Sequence, residues 1–406
     1  MTGRLPSLAG AAWLTTRPVR QVFDALRAAG GEARVAGGAV RNALMGEPIG
    51  DIDIATTLTP EAVMEAGKAA GLSVHPTGIA HGTVMLVASG QPFEVTTLRV
   101  DVETFGRKAR VEFTDDWAAD ARRRDFTMNA LYCSPNGEIH DPVGGYPDIL
   151  AKKVRFVGDP EARIKEDYLR ILRYFRFESH YGGETGDRAS LEACVRLQDG
   201  LDRLSAERIR QEFFKLLVGK GAVPILRVMD EHGVLAHVLP HTKGFGPIER
   251  MARIDRHWGL TPDPLLRLAT IATDALGLRE RLKLTNAEVE RLTSLFLHAA
   301  PTPNLRPGER ERVLYQVSEQ AFRDAVRVAW ARSSDPVDDA AWHELLDLAQ
   351  HWKRPQFPVR GSDLVARGLT GPAVGETLRR LEDWWIASGF TADRDDLLAR
   401  VARERN

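Results

Sequence analysis

Val35-Ala-Gly-Gly-Ala-Val-Arg-Asn-Ala-Leu-Met-Gly46, followed by Gly50-Asp-Ile-Asp-Ile-Ala-Thr-Thr57, is the stretch on which the reading of this chain turns. Gly37 and Gly38 follow a short apolar run and precede a helical pattern. Such a turn can aim backbone N–H groups and a helix N-terminus at a polyphosphate while Arg41 adds a positive charge. A glycine pair alone is ordinary turn geometry. Asp51 and Asp53 give it weight, because residues two apart in a strand project from one face and both carboxylates then meet at the strand's end. A carboxylate pair of that kind can hold two Mg²⁺ ions, one lowering the pKa of an attacking hydroxyl and one binding the oxygens of a leaving phosphate. Glu94, in Pro92-Phe-Glu-Val, falls on a candidate neighbouring strand, either as a third carboxylate (metal ligand or base) or as a surface residue.

Working outward, short apolar or β-branched runs at 33–36, 52–55, 83–87, 93–98 and 131–134 read as strands bounded by Gly, Pro or Asp. Helical patterns at 17–29 and 60–70 lie between them, the second opened by Thr59-Pro60 as N-cap and first-turn proline. The turn-rich run from Asn136-Gly137 to Gly144-Gly145 is expected to end this part. From Asp159-Pro160 onward nearly everything reads as helix, starting with a stripe of Ile164, Tyr168, Ile171, Leu172 and Phe175. The expected fold is α+β, a small mixed-sheet head followed by all-α domains. Residues 1–150 form the head, 151–220 a helical neck, 221–330 a body and 331–406 a tail.

Two further clusters carry chemistry. In Asp120-Ala-Arg-Arg-Arg-Asp-Phe-Thr-Met-Asn-Ala, three consecutive arginines would ordinarily be solvated, but Arg124 and Asp125 precede an apolar pattern, and a pairing there would fix Arg124 toward a ribose or phosphate. In Glu166-Asp-Tyr-Leu-Arg-Ile-Leu-Arg-Tyr-Phe-Arg-Phe, Asp167 and Arg170 are three apart and would be neighbours on one helix. They are either a surface salt bridge or a base reader. An Asp acceptor beside an Arg donor matches cytosine and adenine, which both present an amine donor beside a ring-nitrogen acceptor, and it repels guanine and uracil. Arg173 and Arg176 continue on the polar side, where they can meet a triphosphate or hold Asp167 and Arg170.

With these clusters in order, the sequence resembles the bacterial tRNA nucleotidyltransferase/poly(A) polymerase family, the CCA-adding enzymes and their relatives. The matching motifs are GGAVR at 37–41, DID at 51–53, RRDFTMNA at 123–130, DPVGGYPDI at 141–149, EDYLRILRYFRF at 166–177 and LSAERIRQEFFKLL at 204–217. The resemblance implies a nucleotidyltransferase head followed by neck, body and tail, with the tail binding tRNA. It implies Asp51 and Asp53 as Mg²⁺ ligands, Gly37, Gly38 and Arg41 at the triphosphate, and Arg124, Asp167, Arg170, Arg173 and Arg176 around incoming ATP or CTP. One departure is Asn42, where the family usually has Asp; Asn still accepts a hydrogen bond but brings no charge.

The charged segment 102–113, around Gly106, resembles the flexible loop with which the family switches from C to A, and this favours full CCA addition. The segment 78–86 lacks the basic, aromatic character of the poly(A) polymerase branch. Gly361-Ser-Asp-Leu to Gly371-Pro372-Ala-Val-Gly375 resembles the family's tail motif, whose turn would offer N–H groups to RNA phosphates. Of Trp384 and Trp385, one is expected in the core. The alternatives are template-free polyadenylation, a non-catalytic RNA-binding protein and transfer to a small molecule.

Composition narrows the classes further. The chain has 406 residues and a net charge of −1, with 55 Lys+Arg and 56 Asp+Glu, so a nucleic acid must be met by a local basic patch. Residues 151–220 hold 15 Lys+Arg against 12 Asp+Glu, an excess of 3 suited either to phosphates or to solvent. No run approaches a membrane span, and Cys133 and Cys194 form no CxxC, so a cytoplasmic, reducing location with no membrane and no evident protein partner is expected.

Overall fold

A computed structural model describes residues 5–105, 108–183, 186–297, 301–306 and 308–405. Two compact units emerge, Met1–Pro240 and His241–Asn406. The first opens with α1 (Arg17–Ala28), β1 (Ala33–Ala36), α2 (Gly38–Met45), β2 (Asp53–Thr56) and α3 (Pro60–Ala69). Strands β3 (Ser73–Gly78), β4 (Thr83–Ala88) and β5 (Gln91–Thr97) follow, then a ribbon of β6 (Arg99–Phe105) and β7 (Lys108–Phe113). After α4 (Trp117–Arg122) come the short strands β8 (Tyr132–Cys133) and β9 (Ile139–His140), and α5 (Tyr146–Leu150). The remainder of this unit is helical: α6 (Pro160–Glu166), α7 (Leu169–Tyr181), α8 (Arg188–Arg196), α9 (Ala206–Leu217) and α10 (Ala222–Glu231).

The sheet runs β3-β4-β5-β2-β1-β8-β9. It is mixed: β2 pairs in parallel with β5, Ile54 opposite Val95, and antiparallel with β1, Ala36 opposite Asp53. Helices α1 and α3 pack on each other and on β4, closely enough that a Cβ at Gly67 would meet Leu86 Cδ2 at 2.8 Å. Thr59 caps α3 as expected, its hydroxyl accepting from the Ala62 amide at 3.3 Å. Phe126 joins the sheet to the helices, with ring centroids 4.9 Å from both Phe156 and Phe177.

Three local expectations are corrected. Strand β2 begins at Asp53 rather than residue 52, because pairing with β1 ends at Ala36 where Gly37 turns the chain away; Asp51 stands before the strand. The segment 102–113 is mostly a two-stranded ribbon, with Thr104 opposite Ala109, not a loop; its tip, 106–107, lies outside the described residues. The turn-rich run at 136–145 contains β9, the last strand of the sheet in chain order, which pairs back on β8. The single helix expected from Pro160 is broken at Asp167. There the carboxylate takes the Leu169 amide at 3.1 Å and the carbonyl takes the Arg170 amide at 3.0 Å, so a local side-chain bond displaces the helical ladder. Strand β3 escaped notice because it is a largely exposed edge strand with Pro76 inside it and no alternation.

The second unit contains helices Gly246–Trp258, Pro264–Ile271, Glu319–Arg332, Ala340–His351 and Pro372–Ala387 among others. Phe322, Val326, Trp330, Trp342 and Leu345 share one core, and Leu364, Leu381, Trp385 and Leu397 another. Trp385 is therefore the core member of the tryptophan pair, while Trp384 is only partly buried and lies under Arg400. Gly371 has φ +60° and precedes a helix that already includes Gly375, so the expected 371–375 turn is a helix start. Both cysteines are buried, Cys133 in β8 and Cys194 in α8. Among the described residues no helix is long and apolar enough to cross a membrane.

Candidate active site

The site grows from the turn between β1 and α2. Gly37 adopts φ +67° and ψ −116°, a conformation glycine takes without strain. A Cβ there would lie 3.4 Å from Arg124 Nη1, so Arg124 reaches one side of the turn; on the other, Arg41 Nη2 lies 3.7 Å from where a Gly38 Cβ would be.

Arg41 is 6% exposed. Its Nε and Nη2 donate to Asn42 Oδ1 at 3.1 and 2.8 Å, Nη2 donates to the Tyr181 hydroxyl at 2.8 Å, and Nη1 donates to Asn129 Oδ1. Its guanidinium carbon lies 4.0 Å from the centroid of the Tyr181 ring and 5.2 Å from that of Phe177. Asn42 is locked in orientation because its Nδ2 donates to the Pro48 carbonyl at 2.7 Å. Every direct acceptor of Arg41 is neutral, and burial lowers its pKa against the opposing pull of Tyr181 and the more distant Asp125.

Asp53 follows the turn by register, and one step before the Ile54–Val95 pair sets it beside Glu94 on β5. The concave surroundings thin its solvation, and with Glu94 and Asp51 this pushes its carboxyl up to about 6, Arg124 offsetting part of the effect. Neighbouring carboxylates of this kind are a fitting donor set for a hard divalent ion. Among the described residues no three His, Cys, Asp or Glu side chains gather as a ready metal cluster. That suits a Mg²⁺-type ion, which takes one or two carboxylates and completes its shell with phosphate and water.

The arginine expectations resolve differently from their sequence spacing. Arg124 pairs with Asp120 at 3.0 Å and the Tyr132 hydroxyl at 3.2 Å, not with Asp125. Asp120 is 1% exposed and also binds Arg123 at 2.6 Å and the Tyr132 hydroxyl at 2.6 Å. Asp125 instead receives Arg173 Nε at 2.8 Å, Asn129 Nδ2 at 3.0 Å and the Phe126 amide at 2.8 Å. Burial works against its ionisation, but Arg173 and these donors outweigh burial and hold its carboxyl far below the usual carboxylate range. Arg176 pairs with Glu212 of α9 at 3.1 Å.

Asp167 and Arg170 are not paired. Asp167 Oδ2 accepts from Arg208 Nη2 at 2.6 Å, while Arg170 donates to Glu166 at 2.5 Å and to the Arg163 carbonyl at 2.8 Å.

A cleft of about 490 Å³ brings Gly38, Arg41, Asn42, Asp51, Asp53 and Arg176 together with Tyr181, His180 and Lys215. Gly37, Glu94, Arg124, Asp167, Arg170 and Arg173 do not line it. Sequence reading missed Asp120, Tyr132, Tyr181, His180, Arg208, Glu212 and Lys215. For three of them a signal existed, since Arg208, Glu212 and Lys215 fall in the 204–217 motif.

The sequence matches the family described as "Poly A polymerase head domain" over residues 33–155 and "Probable RNA and SrmB- binding site of polymerase A" over 187–245. It is 36% identical to the mouse "CCA tRNA nucleotidyltransferase 1, mitochondrial", covering 92% of this chain and 87% of that one. It is 32% identical to the "CCA-adding enzyme" of Bacillus cytotoxicus, over 89% and 92% of the two chains. The fold superposes on the crystal structure of the Bacillus stearothermophilus CCA-adding enzyme in complex with CTP with a TM-score of 0.78 and 29% identity, over 97% of this chain and 100% of that one.

Proposed function

The chain belongs to the tRNA nucleotidyltransferase family of CCA-adding enzymes, and from that premise we propose that it adds CCA to tRNA 3′ ends from CTP and ATP without a template. The observation that carries this reading is the single cleft in which Asp51 and Asp53 stand beside Gly38 and Arg41. Divalent ions, Mg²⁺ in this reading, would be held by Asp51 and Asp53 and would supply a lowered pKa for the attacking 3′-hydroxyl and neutralisation of phosphate charge. The 3′ oxygen bonds to the α-phosphorus as the bond to the bridging oxygen breaks, releasing pyrophosphate. The chain's own residues align that displacement. Gly37 and Gly38 leave room for the phosphates, Arg41 opposes their charge, and Glu94 serves as a further ligand or as a base.

Asp167 accepts the exocyclic amine of cytosine or adenine, and Arg170 donates to the ring nitrogen. A carboxylate has about four acceptor sites, so its bonds to Arg208 and Leu169 leave capacity for a base. Arg124, Arg173 and Arg176 flank the nucleotide through their anchoring carboxylates. In this reading 1–150 is the catalytic head, 151–220 the base-reading neck, 221–330 the body and 331–406 the tRNA-binding tail. The segment 102–113, within the ribbon, is the element that permits the change from C to A, and the enzyme works in the cytoplasm.

The test is a gel of purified protein with Mg²⁺ and tRNA transcripts ending before CCA, after C or after CC, supplied with CTP, ATP or both. Addition of three nucleotides that then stops is the expected result. A ladder of A would move the chain to polyadenylation, CC alone would remove the ribbon's role, and tight tRNA binding without product would leave a non-catalytic protein.

A further inference from the structure

Resting on the nucleotide reading of the site, we propose that Asn129 is a positioning residue: its amide joins Arg41 to Asp125 and so completes a mostly buried chain of side chains with a cleft-lining guanidinium at each end. Arg41 Nη1 donates to Asn129 Oδ1, Asn129 Nδ2 donates to Asp125 Oδ1 at 3.0 Å, and Asp125 Oδ2 accepts from Arg173 Nε at 2.8 Å. Glu212 then forms ion pairs with Arg173 at 3.7 Å and with Arg176 at 3.1 Å. Arg41 and Arg176 both line the cleft, whereas the residues that connect them do not.

The neighbours of Asn129 demand a side chain that accepts at one end and donates at the other. A guanidinium offers donors alone, and an ionised carboxylate offers acceptors alone. Asp125 is held ionised against its burial by Arg173 and its hydrogen-bond donors, so an amide meets both partners and a carboxylate would not. Asn129 does so from a position 8% exposed, in a short turn, Thr127–Asn129, fixed by the bond from its own backbone amide to the Phe126 carbonyl at 2.9 Å. Its backbone carbonyl lies 3.5 Å from where a Gly37 Cβ would stand, so the turn packs against the glycine turn.

The balance of charge gives this link its weight. Three guanidiniums meet two carboxylates along the chain, an excess of one positive charge. Among the described residues Arg41 bonds directly to the neutral groups of Asn42, Asn129 and Tyr181, and it reaches a carboxylate only through Asn129. Burial lowers the pKa of Arg41 and of Arg176 alike. Beyond their direct partners, Tyr181 for one and Glu212 for the other, both are raised by Asp125 and lowered by Arg173, so each end of the chain responds to its centre. An amide polarised between a cation and an anion strengthens both of its hydrogen bonds. The phosphates of a nucleotide in the cleft therefore meet one connected unit, and whatever loosens Asn129 loosens Arg41 directly and Arg176 through Asp125, Arg173 and Glu212.

The experiment is calorimetric titration of the full chain with CTP and with ATP in the presence of Mg²⁺, comparing wild type, Asn129→Ala, Asn129→Asp, Arg176→Ala and the double variants, with a thermal melt to confirm that each is folded. Asn129→Ala is expected to weaken both nucleotides about tenfold, and Arg176→Ala to do the same. Because both cut one chain, the double variant should lose about tenfold to thirtyfold, against the roughly hundredfold of independent sites. Asn129→Asp gives Arg41 a charged acceptor but sets a second carboxylate where Asp125 had a donor, so binding is expected to weaken about threefold or more. On a tRNA transcript the KM for both nucleotides rises more than kcat falls, a split that general loosening of the fold would not give. Where Asn129→Ala does not fold, the isosteric Asn129→Asp takes its place in the cycle. Binding by Asn129→Asp as tight as wild type, losses that multiply in the double variant, a loss confined to one nucleotide, or no nucleotide binding by wild type at millimolar concentration overturns the proposal. The two readings fail separately. Nucleotide affinity that depends on Asn129 in this way, without tRNA extension, would sink CCA addition and keep the role of Asn129, whereas tRNA extension with Asn129→Asp behaving as wild type would do the reverse.

Discussion

Arg208 of α9 donates to Asp167 at 2.6 Å across 41 residues of sequence, so the carboxylate proposed to read the base is held by a residue from a different helix. A charge-assisted bond of this kind contributes roughly 1.5–3 kcal/mol. Arg208→Ala is therefore expected to lower kcat/KM for CTP about tenfold or more and to narrow the preference for CTP over UTP, with Arg208→Lys intermediate. Steady-state incorporation on a tRNA transcript reads both. An unchanged CTP-to-UTP ratio would remove Arg208 from base selection.

Asp120 anchors Arg123, Arg124 and Tyr132 from a position 1% exposed. Asp120→Ala leaves those partners without their shared acceptor, and the expected loss is about 3 kcal/mol at neutral pH, read by urea unfolding. Burial alone would raise the Asp120 pKa, but Arg124, Arg123 and Tyr132 outweigh burial and lower it below its ordinary value. A depressed folded-state pKa gives stability that is present above the unfolded value of about 4 and lost as the pH falls. The gap between wild type and variant should accordingly shrink in acid, and a gap that widens there would contradict the assignment.

Glu178, buried in α7, behaves in the opposite sense. Burial, with Asp187 adding to it, pushes its carboxyl up to about 7, and the hydrogen bond from Tyr174 offsets only part. The folded chain binds a proton there that the unfolded chain has already released, so stability declines as the pH rises from about 4.5 through 7. Glu178→Gln should stabilise the protein at pH 8 by on the order of 3 kcal/mol and make little difference at pH 4. Thermal melts across that range decide it, and equal shifts at both ends would be inconsistent with a titrating Glu178.

Gly37 carries its demand in the backbone. At φ +67° and ψ −116° an alanine is strained, and the cost is about 1–3 kcal/mol. Its Cβ would also stand 3.4 Å from Arg124 Nη1. Gly37→Ala should lower the melting temperature and raise the KM for both CTP and ATP together, since the turn lies under the phosphates in the proposed pose. A change confined to one nucleotide would place the turn nearer the base.

What the sequence made legible was local. The Gly37-Gly38 turn, the Asp51/Asp53 pair, the Thr59 cap and most strand cores follow from short-range patterns, and the structure carries them within a residue or two. What stayed hidden depended on partners far along the chain. Asp167 and Arg170 sit at helical spacing, and nothing nearby announces that Asp167 will break the helix by capping Leu169 and turn to Arg208. The three arginines at 122–124 look alike, yet Arg122 is exposed while Arg123 and Arg124 fold back on Asp120, a choice set by the buried Tyr132. Arg41 was legible as a charge but not as a buried one, because Tyr181 and Asn129 reach it from distances of 140 and 88 residues. The ribbon of β6 and β7 was hidden by its polarity, since charged residues along it removed the apolar alternation by which strands are recognised.

The two cysteines have a practical bearing. Burial pushes the Cys133 thiol up to about 12 and the Cys194 thiol well above its ordinary value, and neither side chain reaches solvent. Thiolates do the work in alkylation, so maleimide dyes will pass both by in the native protein. A cysteine introduced at exposed Glu112 on the ribbon would then be the one site that labels, and a fluorophore there tests whether the ribbon moves through successive additions with neither native cysteine removed.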